Sequence, residues 1–318
     1  MSRINISPVF NKSADVILFT GDVKDFLDDI PDNFVNLVVT SPPYNIGKSY
    51  EKIIELDEYI NQQEIIINEC VRILKPRGSI CWQVGNYIKK SQIIPLDIIL
   101  YPIFKKLNLK LRNRIIWHFG HGLHASKRFS GRYEAILWFT KSDDYVFNLD
   151  DVRVPQKYPN KKYFKGPKKG ELSGNPLGKN PSDVWDIPNV KANHIEKTNH
   201  PCQFPVELIE RLVLAFTNEN DWVFDPFMGV GTTAIAALMH NRKSLGAEIV
   251  PEYVRIAEQR ILLAEKGKLQ IRPMAREVYN PEKKDTIPPK KINLNDTYQP
   301  VIFEKTTKYQ EGKNESNL

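Results

Sequence analysis

Apolar residues along this chain gather into short unbroken runs, with longer stretches of helical repeat between them. Asn36 to Thr40, NLVVT, reads as a buried strand, and the later IIINECVRILK carries the repeat of a helix stopped by PRG at Pro76 to Gly78. SICWQV, Ser79 to Val84, resumes as a strand, and both NRIIWHF and EAILWFT are rich in strand formers. Near Pro205 a helix begins in which Ile209, Leu212, Val213 and Phe216 are spaced to face one core. DWVFDPF, Asp221 to Phe227, then reads as a strand, and TTAIAALMHN as a helix capped by a threonine. KSLGAEI follows as a strand and PEYVRIAEQRILLAEKG as a helix with Pro251 near its first turn. Strands alternating with helices predict a parallel sheet covered on both faces.

With 318 residues, 41% hydrophobic and 26% charged, the chain can bury one large core or two modest ones. Cys70, Cys81 and Cys202 lie far apart and form no CxxC pair, so neither a disulfide framework nor a zinc cluster is expected. The first residues lack the charged-then-apolar pattern of a secretory signal. No apolar run approaches the roughly 20 residues that span a bilayer, and a reducing cytoplasm is the expected compartment. His118, His121 and His124 are spaced across glycines in the manner of a polar loop, so no metal is expected; with Lys127, Arg128 and Arg132 close by, that loop suits a DNA contact.

The net charge of +7 favours a polyanionic partner or serves solubility, and its distribution narrows the choice. Between Arg153 and Lys179, Lys157, Lys161, Lys162, Lys165, Lys168 and Lys169 are interleaved with Tyr158, Tyr163 and Phe164. Lysines neutralise phosphates and aromatic faces stack on unpaired bases, so the segment reads either as a nucleic-acid contact or as a solvated loop. From Lys268 the chain turns polar and Pro-rich and reads as an extended, partly disordered tail.

Two stretches carry candidate chemistry. In VFDPFMGVGTTAIAA, Gly229, Gly231 and Ala234 match G-x-G-x-x-A between a strand and a helix, and Glu248 ends the next strand. Glycines let a backbone approach a nucleoside cofactor, and an acid at the neighbouring strand end can accept bonds from both ribose hydroxyls. No lysine completes a phosphate-binding loop, which leaves a dinucleotide such as NAD, or S-adenosylmethionine. TSPPY, Thr40 to Tyr44, discriminates between them. Consecutive prolines hold Ser41 and Pro42 extended, so a hydroxyl and a carbonyl can accept the two hydrogens of an exocyclic amine, and Tyr44 offers a face for a base. Pinning both hydrogens favours pyramidal nitrogen and frees its lone pair to attack a methyl group. An NAD-dependent dehydrogenase would share the glycine turn but gives no reason for TSPPY or the lysine cluster.

In combination these motifs resemble the amino-DNA methyltransferases, which methylate cytosine N4 or adenine N6, in the class whose catalytic motif precedes the cofactor motif. TSPPY is similar to the catalytic motif, which implies catalytic roles for Ser41, Pro42, Pro43 and Tyr44. DPFMGVGTT is similar to the cofactor loop and implies S-adenosylmethionine contacts for Asp225, Phe227, Gly229, Gly231, Thr232 and Thr233, with Glu248 on the ribose. TGD implies that Asp22 lies near the adenine, and NHPCQFP implies that His200, Pro201 and Phe204 close over the methionine end; many members have lysine in place of Phe204. The implied fold is α/β, a Rossmann-like seven-stranded, mostly parallel sheet with a reversed hairpin strand and circularly permuted motif order. Residues 1–140 would be its catalytic half, 141–198 an inserted basic target-recognition region, 199–267 the cofactor-binding half and 268–318 the tail. The resemblance further implies sequence-specific action on double-stranded DNA by base flipping, in a restriction-modification pair with an endonuclease acting on the same site. Serine at the first motif position is typical of the cytosine-N4 branch, so cytosine is the expected target and adenine N6 the alternative.

Overall fold

A computed structural model describes residues 4–48, 51–120, 122 and 124–274. In chain order its first half runs β1 (Ile6–Ser7), β2 (Val16–Thr20), α1 (Val23–Asp29), β3 (Val35–Thr40), α2 (Leu56–Ile73), β4 (Leu74–Val84), β5 (Asn86–Lys89), β6 (Gln92–Pro95) and α3 (Leu96–Lys106). The second half runs β7 (Lys110–His118), β8 (Tyr133–Thr140), β9 (Val184–Asp186), α4 (Val206–Phe216), β10 (Trp222–Asp225), α5 (Thr232–Leu238), β11 (Lys243–Glu248) and α6 (Pro251–Glu265). Most of the tail, and His121, lie outside the described residues. No described helix is long and apolar enough to cross a membrane.

Among the described residues nine strands form one sheet, in the order β1-β2-β11-β10-β3-β4-β8-β7-β9, while β5 and β6 pair separately. Every neighbouring pair is parallel except those made by β8, which runs against both β4 and β7. The expected seven-stranded sheet is therefore extended to nine by edge strands of two and three residues, β1 and β9, too short to leave a periodic signature. β9 matters more than its length suggests, because pairing His118 with Asp186 stitches the chain after β8 to the edge of the sheet.

Alternation along the strands separates two cores. Val38 and Phe224 point into one, with Phe26, Ile67 and Phe104 from α1, α2 and α3. Leu37, Val39 and Val223 point into the other, with Leu212, Ile235 and Ile261 from α4, α5 and α6. Successive side chains leave opposite faces of a strand, so apolar runs such as LVV satisfy both layers at once. The four residues singled out on α4, from Ile209 to Phe216, share the second core.

Two local expectations are corrected. PRG does not stop α2, which ends at Ile73; Pro76 to Gly78 lie inside β4, in a register shift opposite Val35 and Leu37. A Cβ on Gly78 would stand 2.8 Å from the Asn36 carbonyl oxygen, so glycine permits that close approach. The first turn of α5 is capped by Gly231 in the left-handed region (φ 74°), not by a threonine.

The threonine hydroxyls have a different task. β10 and β11, late in the chain, insert between β2 and β3, which makes β3 and β10 parallel neighbours with Leu37 opposite Val223. At the carboxyl ends of those two strands, Asp225 Oδ1 accepts from Thr40 Oγ1 at 2.7 Å and from the Phe227 amide at 3.1 Å, while Oδ2 accepts from Thr233 Oγ1 at 2.6 Å. All three side chains are buried. Burial pushes the Asp225 carboxyl up to about 6, against the three donors, which favour its charged form. One carboxylate thus ties the end of β3 to the turn after β10.

The two oxygens are not equally replaceable. Thr233→Val takes away the hydroxyl that donates to Oδ2 and should cost roughly 1–3 kcal/mol, the usual penalty of an unsatisfied buried acceptor. Thr40→Val should cost less, because Oδ1 keeps the Phe227 amide. Urea unfolding of both variants checks the order, and an equal or reversed loss would contradict this account.

Candidate active site

TSPPY leaves the carboxyl end of β3 with Thr40 already anchored. The Tyr59 hydroxyl, from α2, donates to the Pro43 carbonyl at 2.9 Å and holds the Pro-Pro backbone from behind. Ser41 Oγ lies 2.9 Å from the Tyr44 hydroxyl, which donates to Glu134 Oε2 at 3.3 Å and accepts from Gln83 Nε2 at 2.7 Å. Gln83 Nε2 also donates to Glu134 Oε2. Gln83 is near the end of β4 and Glu134 near the start of β8; because β8 is antiparallel, its start lies at the same sheet edge as the carboxyl ends of the parallel strands. A Cβ on Gly85 would stand 3.1 Å from the Tyr44 ring and 3.3 Å from Glu134 Oε1, so this glycine leaves the two side chains room to meet. Burial, with Glu134 beside it, raises the Tyr44 hydroxyl well above the ordinary phenol value. Burial likewise pushes Glu134 up to about 7, opposed by the hydrogen bonds from Tyr44 and Gln83.

The glycine turn after β10 forms the facing wall. Gly229, at φ 50°, donates its amide to Glu248 Oε2 at 3.0 Å, and Val250 donates to Glu248 Oε1 at 2.8 Å. Burial raises the Glu248 carboxyl, and those amides pull it back. The amide of Gly21 donates to the Glu248 carbonyl at 3.0 Å, which brings Asp22, the N-cap of α1, to the same edge. His200 packs edge-on to Tyr253 at 4.6 Å and accepts from the Cys202 amide at Nδ1, 3.3 Å away. Burial, with Lys197 and Arg260 adding to it, lowers His200 to about 4, so the ring is neutral at physiological pH. A Cβ on Gly229 would come within 3.3 Å of His200 Nε2, leaving little room there for a side chain.

The two walls enclose one cavity of about 470 Å³. Ser41, Pro42, Pro43 and Tyr44 line it together with Asp22, His200, Pro201, Phe204, Phe227, Gly229, Thr232 and Glu248. Asp225 and Thr233 stand behind the wall as its brace, and Gly231 lies where a Cβ would meet Ala257 Cβ at 2.8 Å. Gln83, Glu134 and Lys191 also line the cavity, although the sequence pattern marked only the strands on which Gln83 and Glu134 sit.

The basic candidates fall in two exposed places. Lys127 and Arg128 are exposed and Arg132 partly so, in the loop between β7 and β8 whose base is closed by the Phe119 amide donating to the Arg132 carbonyl at 2.8 Å. Trp117, Phe119 and Glu134, at the roots of that loop, line the cavity, and Phe129 near its tip is 99% exposed. Lys157, Lys161, Lys162, Lys165, Lys168 and Lys169 are all exposed, on a segment pinned by bridges between Val154 and Lys179 and between Lys162 and Leu172. Trp185, on β9, is buried and carries the Arg211 guanidinium 4.9 Å from its ring centroid.

Residues 35–259 match the family described as DNA methylase, which groups the N6 and N4 enzymes. The chain belongs to that family. It is 58% identical over 243 residues to the type II methyltransferase M.BglII of Bacillus subtilis, covering 76% of this chain and 68% of that one. It is 34% identical over 260 residues to the DNA adenine methyltransferase YhdJ of Escherichia coli K12, covering 80% and 85%. Among solved structures, the PvuII cytosine-N4-specific DNA methyltransferase shares the fold, with a TM-score of 0.62 over 80% of this chain and 93% of that one at 21% identity. TTHA0409, a putative DNA modification methylase of Thermus thermophilus complexed with S-adenosylmethionine, has a TM-score of 0.56 at 29% identity over 78% and 93%.

The methylase is therefore an S-adenosylmethionine-dependent amino-methyltransferase of restriction-modification type. Its residues fit that cofactor: Glu248 is an acceptor-only carboxylate at the end of β11, beside a turn whose Gly229 backbone faces the cavity. If Glu248 takes the ribose hydroxyls, Glu248→Gln should weaken S-adenosylmethionine about ten- to a hundredfold, since bonds to a charged acceptor contribute roughly 1.5–3 kcal/mol. Calorimetric titration reads this directly, and unchanged affinity would remove Glu248 from the ribose site.

Proposed function

We propose that this methylase transfers a methyl group to N4 of a cytosine rotated out of duplex DNA. The observation that carries the reading is the single cavity in which Ser41 and Tyr44 face Gly229 and Glu248. Bound S-adenosylmethionine supplies an electrophilic methyl on a sulfonium. The chain's part is positioning: Ser41 Oγ and the Pro42 carbonyl accept the two amine hydrogens, and Tyr44 supplies a face for the ring. Such an amine is a weak nucleophile because its lone pair is shared with the ring, and fixing both hydrogens releases that pair toward the methyl. A base stacked inside a helix cannot bring its amine into a cavity of this kind, and the reading therefore includes extrusion of the target nucleotide.

Serine at the first motif position supports cytosine. The likeness to YhdJ, named for adenine, supports N6 methylation as the second reading. Lys157 to Lys169 and the Lys127 to Arg132 loop are the proposed phosphate contacts, and an endonuclease reading the same site is the proposed partner. Binding should therefore weaken with salt, and Lys161→Ala with Lys162→Ala should lower the slope of log affinity against log salt by about 2, roughly one per phosphate contact. An unchanged slope would place the contact elsewhere.

Nucleoside analysis of duplex DNA after reaction should return N4-methylcytosine. Ser41→Ala should lower transfer about a hundredfold or more while cofactor binding persists, in line with the loss of one preorganised acceptor. N6-methyladenine as the sole product would replace the cytosine assignment with the second reading.

A further inference from the structure

The hydrogen-bond directions around Tyr44 are determined by counting. Tyr44 has one hydroxyl hydrogen, and it is directed to Glu134 Oε2. Gln83 Nε2 donates to the same hydroxyl, so that bond uses no Tyr44 hydrogen. Ser41, 2.9 Å from the Tyr44 oxygen, must then be the donor in their contact. That orientation points the Ser41 hydrogen away from the target amine and leaves the lone pairs of Ser41 Oγ toward it. The result is a continuous, same-sense chain from Ser41 through Tyr44 to Glu134, with Gln83 holding both Tyr44 and Glu134 in place.

Such a chain offers a path for the proton that methyl transfer to an amine must release. The N–C bond forms as the S–C bond breaks, the positive charge passes from sulfur to nitrogen, and one N–H proton must then leave. We propose that Glu134 is the terminal acceptor of that proton, reached from the target amine through the hydroxyls of Ser41 and Tyr44. Ser41 Oγ takes the amine proton as its own passes to Tyr44, and Tyr44 passes its proton to Glu134 Oε2. The products are a neutral methylated base, S-adenosylhomocysteine and a protonated Glu134, with Ser41 and Tyr44 restored. In this relay each hydroxyl gains a proton as it gives one up, which avoids the phenolate that burial of Tyr44 disfavours. Glu134 lines the cavity, which gives its proton a route to water after product leaves.

Glu134 is suited to the task. A carboxyl held at about 7 is a much stronger base than an exposed one, yet is still largely ionised at slightly alkaline pH. The titratable groups around the relay are Lys191, which favours ionised Glu134, together with Cys202 and Tyr59, both of which face Tyr44. Protonated Glu134 cannot accept, so the rate should rise with pH up to about 7 and level off above it.

The inference rests on the amine of an extruded base lying against Ser41. Its test is the single-turnover rate of methyl transfer as a function of pH for wild type, Glu134→Gln, Tyr44→Phe and the double variant. Glu134→Gln is expected to lose about a hundredfold and the limb below pH 7, with cofactor and DNA affinities within about twofold of wild type. Tyr44→Phe keeps the ring and removes the relay hydroxyl, so it should lose the same limb, and the double variant should be no slower than the slower single variant. Glu134→Gln within about threefold of wild type with the limb intact would overturn the relay, as would additive losses in the double variant. If Glu134→Gln does not fold, retention of the limb in Tyr44→Phe overturns it alone. The base modified by wild type is scored separately, so a product other than N4-methylcytosine refutes the cytosine assignment and leaves the relay to its own result.

Discussion

A buried carboxylate, Asp225, is the constraint on which the site depends. Its two oxygens hold the hydroxyls of Thr40 and Thr233, residues separated by most of the chain. One belongs to the corner proposed to grip the base and the other to the helix that follows the glycine turn. Hydrogen bonds to a charged acceptor contribute roughly 1.5–3 kcal/mol each, while burial costs the carboxylate part of that gain. The larger consequence is registration, because a displacement of about 1 Å between donor and acceptor costs roughly a hundredfold in rate. The brace holds the two walls of one cavity in fixed relation.

Permutation of the motifs is harmless for the same reason. Sheet neighbours need not be sequence neighbours, and β10 and β11 enter between β2 and β3 so that the second half of the chain completes the first. The reversed strand adds what parallel strands cannot. Its amino end reaches the functional edge, where Glu134 meets a tyrosine and a glutamine supplied by β3's exit and β4. An acid raised to about 7 is tolerated there because Tyr44 and Gln83 both donate to it.

Much of this was legible in the residues themselves. Unbroken runs such as LVV and VFD marked central strands, and G-x-G between a strand and a helix, with an acid ending the next strand, marked the turn that lines the cavity opposite Ser41. TSPPY marked the facing wall by proline stiffness together with the hydroxyl, carbonyl and ring it holds in place, read alongside the glycine turn. Short edges escaped: β1 and β9 are too brief to show alternation, and α3 carries Pro102 in its interior, which breaks a helical reading. Asp225 opens the turn motif and so reads as a cofactor contact, whereas both its oxygens face inward to threonines. Glu134 escaped for a topological reason. EAILWFT reads as a strand in either direction, and only its antiparallel pairing with β4 brings that glutamate to the cavity.

The central claim is that one cavity brings the methyl donor and the extruded amine together. A crystal structure of the methylase with an unreactive S-adenosylmethionine analogue and its duplex substrate tests this most directly. The transferable position of the analogue should lie about 3–3.5 Å from the base's exocyclic nitrogen, with that nitrogen hydrogen-bonded to Ser41 Oγ and the Pro42 carbonyl and the ribose on Glu248. A base that stays stacked in the duplex, or an analogue bound away from Gly229 and Glu248, would contradict it.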